Sequence, residues 1–137
     1  MKNKVLSIEQ MQKLKELGVD TSKASMCYIS KYPSCDFDDG DSIVVVSKDF
    51  NKRLYNEFGP AFTLHDIIEL LPHNIYDGLN KKYRLVIQVN IANCFIVHYL
   101  SFGKYIDELI HFYDYDIIDA VYKMLVWVTE KGYLKTK

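Results

Sequence analysis

Two groups of side chains in this chain have the types and spacing to do chemistry. The first is the run Cys35-Asp36-Phe37-Asp38-Asp39-Gly40-Asp41-Ser42, where four carboxylates and a glycine crowd into a few residues. Carboxylates at that density are the hard oxygen ligands calcium takes. An EF-hand loop needs ligands at positions 1, 3 and 5, glycine at 6 and a bidentate Glu at 12. With Gly40 at the sixth position, Cys35 falls at the first, Phe37 at the third and Val46 at the twelfth, so that pattern fails. A looser metal site made of Asp36, Asp38, Asp39 and Asp41 stays open. The simpler reading is a turn, with Gly40 free to take positive φ and the carboxylates left in water.

The second group is Cys94, His98, Asp107 and His111. Side chains alternate along a strand, so Cys94, Ile96 and His98 share one face. If Leu100 pairs with Tyr105 across a turn, Cys94 lies opposite His111 and His98 opposite Asp107. A Cys/His/Asp set of that kind makes a thiol nucleophile with its base, or part of a metal site. It works as a nucleophile only with thiolate character and access. The plainer alternative is a buried Cys beside a half-exposed strand His. His65 in the first turn of a helix and His73 in a loop read as surface, and Trp127 with Met124 reads as core. Six glycines are scattered without phosphate-loop spacing, and neither G-x-S-x-G nor H-E-x-x-H occurs. No cofactor is expected.

The elements that would carry these groups follow from periodicity. Leu6 to Leu17 reads as a helix, with Ser7 and Gln10 forming a capping box and Ile8, Met11, Leu14 and Leu17 on one face. Gly18 ends it. "MCYIS" from Met26 and "SIVVVS" from Ser42 are β-rich runs that flank the acidic stretch. In "FTLHDIIELLP", Thr63 is an N-cap, Asp66 favours the positive helix end, and Pro72 stops the helix. Two strands follow, Tyr83 to Asn90 and Asn93 to Leu100, as a hairpin about Ile91-Ala92, then a third from Tyr105 to Phe112. The last helix runs from about Asp116 to Lys131, with Ile117, Val121, Met124, Leu125 and Val128 in a stripe. The order is α-β-β-α-β-β-β-α. It predicts a single α+β domain over 1–137, with an antiparallel sheet of about five strands and three helices over at least one face.

Composition narrows the function. A length of 137 residues suits one domain, and 49% hydrophobic with 26% charged residues is globular. A net charge of −1 with no basic run argues against nucleic acid, whose binders carry a basic excess to neutralise phosphates. Cys27, Cys35 and Cys94 are unpaired and widely spaced, which suits a reducing cytoplasm and neither a zinc ribbon nor a disulfide framework. The N-terminus turns charged too early for a signal peptide, and no apolar run is long enough to span a bilayer. Eleven Tyr against one Trp suit a tyrosine-rich strand pair packing its own sheet, and "FYDYD" from Phe112 with Tyr55 could also line a contact with a protein partner or, in self-association, a second copy.

"PAFTLHDIIELLP" (Pro60 to Pro72), "IIDAVYKMLVWVTEKGYL" (Ile117 to Leu134) and "LGVDTSKASMCYI" (Leu17 to Ile29) resemble a family of small uncharacterised proteins encoded by prophages and other mobile elements of gut bacteria. The hairpin followed by a long C-terminal helix is also similar to the phage α-β-α sandwich domain. The segment around Cys35 to Asp41 departs from the family pattern. The resemblance implies a mobile-element origin and assigns no activity. The expected function is a non-enzymatic binding or assembly protein. The alternative is a small-ligand-binding protein or a cysteine/histidine-dependent enzyme built on Cys94, His98 and His111. A third option, an inhibitor of a host defence enzyme, rests on analogy with the mobile-element context.

Overall fold

The computed structural model describes residues 4–31, 43–51, 55–90 and 92–134. The acidic candidates Asp36, Asp38, Asp39 and Asp41 lie outside the described residues, as does Cys35.

Local signals set the three helices. α1 (Ile8–Glu16) opens on the expected box, in which Gln10 N donates to Ser7 Oγ at 3.1 Å and Ser7 N donates to Gln10 Oε1 at 2.9 Å. Met11 and Leu14 are its buried face, and Gly18 leaves it at φ +90°. α2 (Leu64–Leu70) is capped by Thr63 and α3 (Ile117–Glu130) by Asp116. Ile118, Ala120, Val121, Met124, Leu125 and Val128 make the buried stripe of α3.

The strands form two antiparallel sheets rather than the single sheet expected. β1 (Met26–Lys31) is the middle strand of the first, between β2 (Ile43–Ser47) and β3 (Tyr55–Ala61). The second has the order β4 (Asn74–Tyr76), β5 (Lys82–Val89), β6 (Phe95–Phe102), β7 (Ile106–Asp114). β3 and β4 were not expected from the sequence. Gly59-Pro60 reads as a chain breaker, yet proline is tolerated on an edge strand and β3 is one. Gly59, at φ +133°, adopts a conformation that favours glycine, beside the register shift between Tyr28 and Ile29. β4 is only three residues long, and a single buried side chain, Ile75, anchors it.

The hairpin turn is longer than Ile91-Ala92. β5 ends at Val89 and β6 begins at Phe95. Asn90 Oδ1 accepts from the N–H groups of Ala92 and Cys94, and Asn93 takes φ +60°. β6 also runs on through Ser101 and Phe102, which moves the next turn to Gly103–Tyr105.

α3 packs on β6 and β7, α2 packs on α3, and α1 packs on β3. One cluster of buried apolar side chains, from Leu6 and Met11 through Phe62 and Ile67 to Val97, Tyr99 and Met124, runs through all three helices and onto the four-stranded sheet, while the three-stranded sheet buries Cys27, Ile29 and Ala61. Asp66 couples them. Its carboxylate accepts from Ser25 N and Thr63 N at 2.9 Å each and from Ser25 Oγ, which ties the start of β1 to the start of α2. Burial alone would raise the Asp66 carboxyl, but the hydrogen bonds from Ser25 and Thr63 outweigh it and hold the group below its usual range. No helix among the described residues is long and apolar enough to cross a membrane.

Candidate functional site

The register of β6 against β7 decides which side chains meet. Phe102 pairs with Ile106, Leu100 with Glu108, His98 with His111 and Ile96 with Tyr113. A bulge between Tyr99 and Leu100 leaves Leu109 as the extra residue of β7. The two expected pairings are therefore corrected. His98 lies opposite His111 rather than Asp107, and Cys94 precedes β6 and has no partner on β7. The cause is the extension of β6 by two residues together with the bulge, since every slip reassigns the cross-strand neighbours.

Alternation then separates two faces. Phe95, Val97 and Tyr99 point to the helices. Ile96, His98, Leu100 and Phe102 point to the other side, joined by their cross-strand neighbours Arg84, Val86 and Gln88 of β5 and Ile106, Glu108, His111 and Tyr113 of β7. Among the described residues no element covers this outer face.

At its centre His98 is 8% exposed, the most enclosed side chain on an otherwise open surface. Its Nδ1 is 3.0 Å from Glu108 Oε2 and its Nε2 is 2.7 Å from Gln88 Oε1. A neutral ring donates from one nitrogen only. The second contact is completed by ring protonation or by turning the Gln88 amide so that its NH₂ donates. Glu108 is shared, its Oε1 lying 2.7 Å from His111 Nδ1. The His98 hydrogen bond, against partial burial and with help from His111, holds the Glu108 carboxyl below the usual carboxylate range. His111 stacks on Tyr113, ring centroids 6.3 Å apart, and Arg84 sits over the Phe102 ring at 5.7 Å. Asn90, Ile96, His98, Glu108, His111 and Tyr113 line a shallow hollow of about 300 Å³.

The structure thus brings His98 and His111 together and leaves the other two candidates elsewhere. Cys94 is buried in the β5–β6 turn, about 13 Å along the strand from His98, with its Sγ 3.9 Å from the Phe95 carbonyl. Asp107 pairs with Ser101 on the helix side and forms an ion pair with Lys81. Glu108 and Gln88 are the polar partners that sequence reasoning missed. Strand alternation offered the signal for Glu108, because it must face away from Asp107. The bulge that carries His111 onto the same face had no signature. Among the described residues no group of three or more His, Cys, Asp or Glu is placed to hold a metal ion. The ring nitrogens are turned toward neighbouring oxygens rather than toward a common point.

His65 is exposed and pairs with Glu69 at 2.9 Å, one turn along α2, and Met124 is core, as expected. No protein-family model, curated protein or solved structure matches the chain.

Proposed function

We propose that this chain is a non-enzymatic binding or assembly protein that takes a protein partner on the outer face of its four-stranded sheet. The observation that carries the reading is the uncovered face itself. A solvent-facing sheet ordinarily alternates apolar-in with polar-out. Here exposed Phe102, Ile106 and Tyr113, with half-buried Val86, Ile96 and Leu100 between them, form an apolar surround to the His98–Glu108–Gln88 centre. Exposed apolar side chains gathered on one face mark interaction sites. Aromatic side chains such as Phe102 and Tyr113 are enriched on contact surfaces.

The partner is a protein rather than a nucleic acid, because the chain's net charge of −1 provides no phosphate-neutralising excess. The buried free thiols of Cys27 and Cys94 suit work in the cytoplasm. The segments Pro60 to Pro72 and Ile117 to Leu134 are the basis for reading it as a product of a prophage or mobile element.

A photoreactive phenylalanine analogue placed at Phe102 or Val86, and at Leu79 as an exposed control in the β4–β5 turn, tests the surface. The expected result is discrete protein adducts from Phe102 and Val86 in host extract and none from Leu79. Equal adducts from all three, or none from the face, refute it.

A further inference from the structure

We infer that the occupant of this surface's outer edge is a second copy of the same chain, joined along β7; this rests on the binding-face reading above and names its partner. β7 ends the second sheet, with β6 on one side and, among the described residues, no strand on the other. Edges are usually blunted by Lys, Pro, a β-bulge or a covering element, and of these β7 has the bulge at Leu109. β7, with the sequence IDELIHFYD, contains neither Lys nor Pro. Among the described residues, cations engage only its ends, where Lys81 pairs with Asp107 and Lys123 reaches the Tyr113 carbonyl and Asp114.

The open-face residues of β7 read Ile106, Glu108, His111, Tyr113: apolar, carboxylate, imidazole, apolar. Reversed, that order complements itself. An antiparallel copy related by a two-fold axis between Leu109 and Ile110 sets Glu108 against His111 of the second copy and Ile106 against its Tyr113. The axis repeats each contact. The bulge is what makes the register work, because the extra Leu109 puts Glu108 and His111 on one face although three positions separate them. Two copies meeting bulge to bulge keep that parity on both strands. Leu109 and Ile110, which lean toward the helix side, then meet each other.

His111 is placed for the contact: its Nδ1 faces Glu108 of its own chain, and its Nε2 can donate to the carboxylate opposite when the ring carries both protons. A carboxylate offers about four lone-pair sites, so Glu108 can accept a third donor beyond His98 and His111. On the helix side Phe112 of the same strand lines a hollow of about 380 Å³ with Tyr122, Val126 and Trp127, rimmed by Lys123 and Glu130. Nine residues at about 3.3 Å each give an edge of about 30 Å, and pairing it would fuse two four-stranded sheets into one continuous sheet.

Sedimentation equilibrium of the full chain over a wide concentration range tests the pairing. The wild type is expected to dimerise. Glu108→Lys and His111→Glu are each expected to weaken the dimer about 100-fold or more, because the first removes the acceptor from both contacts and the second sets carboxylate against carboxylate twice. The double swap Glu108→Lys/His111→Glu is expected to restore it. Glu108 also bonds His98 within its own chain, so two variants at exposed positions guard against misfolding. Ile106→Lys and Tyr113→Lys, at side chains 65% and 61% exposed, are expected to give monomers with an unchanged melting temperature. A folded double swap that stays monomeric overturns the inference, as does a dimer indifferent to Ile106→Lys and Tyr113→Lys. A monomeric wild type that still crosslinks other proteins from Phe102 overturns the β7 dimer and leaves the binding face standing. A dimer indifferent to those substitutions, with no adduct from Phe102, overturns both.

Discussion

Removing the Asp66 carboxylate tests whether the two sheets are held as one unit. Three donors converge on it: Ser25 N and Thr63 N on Oδ2, and Ser25 Oγ on Oδ1. Hydrogen bonds to a charged acceptor contribute about 1.5–3 kcal/mol each when measured singly. The Thr63 hydroxyl still caps the backbone N–H of position 66 in the variant, so only the reciprocal half of the capping box is lost. The terms do not add, and Ser25 and Thr63 are only half-buried and regain water. Asp66→Ala is therefore expected to cost about 2–4 kcal/mol, a fall in melting temperature of ~10 °C for a chain of this size. Asp66→Asn is the informative companion. A carbonyl oxygen in the Oδ2 position keeps both backbone donors, while the amide NH₂ meets a Ser25 hydroxyl able to accept. Its cost is expected to be about 1 kcal/mol, which isolates the charge. The pH dependence has a definite sign. The folded carboxyl lies below its unfolded value, so the stability it contributes is complete above the ordinary aspartate range and is lost as pH falls through the folded value. The gap between wild type and Asp66→Asn should stay constant above about pH 5 and close in stronger acid. Urea and thermal denaturation followed by circular dichroism measure it. A fall of less than ~2 °C for Asp66→Ala, or a gap that widens in acid, refutes the coupling role.

Two further outcomes follow from the core. The Tyr99 hydroxyl donates to the Pro72 carbonyl at 2.7 Å, and burial pushes its phenol well above the ordinary range. Tyr99→Phe should cost ~1 kcal/mol, and ultraviolet titration of the wild type should show one tyrosine ionising only as the chain unfolds in alkali; a variant as stable as the wild type counts against that bond. In a Cys35→Ser background Cys27 and Cys94, both buried, should react with a disulfide reagent only at the rate of unfolding, and a fast thiol in the folded chain would revive the Cys94 nucleophile.

The sequence was most informative where a residue's role is local. Ser7 with Gln10, and Thr63 with Asp66, announce helix starts because the capping side chain and its donor are three residues apart. The stripe of α3 was legible for the same reason: helical periodicity is written within the segment. What needed distant partners was not legible. β3 gains its strand character by pairing with β1 across the chain, which overrides the breakers Gly59 and Pro60. The division into two sheets depends on β3 and β4, neither of which has a strand-like sequence. At the candidate site the alternation placed His98 correctly with Ile96, but the partner strand was set four residues out of register, His111 standing where Asp107 was expected. A guessed turn at Leu100–Tyr105 has no means of showing that Ser101 and Phe102 still pair. Nor does sequence announce a bulge at Leu109 built from ordinary strand formers.

That bulge also explains why an enclosed histidine sits on a face nothing covers. Without the bulge, with residues 108 to 111 in regular alternation, Glu108 and His111 would point to opposite sides of the sheet. His98 would then lack its carboxylate, leaving a poorly solvated imidazole nitrogen in an apolar surround at a cost of about 1–3 kcal/mol. With it, Gln88 and Glu108 satisfy both ring nitrogens, and no buried side-chain polar atom among the described residues lacks a partner. A structural histidine needs only that much. The arrangement goes further: Glu108 also holds His111, which is half exposed and needs no satisfying by a buried partner, at the strand that ends the sheet. A second imidazole fixed on the edge, beside Tyr113 and opposite in chemical order to Ile106 and Glu108, adds little to the stability of one chain, since exposed pairs contribute well under ~1 kcal/mol. Its position does supply what an edge-to-edge contact requires, a fixed donor and acceptor in complementary order with apolar side chains outside them.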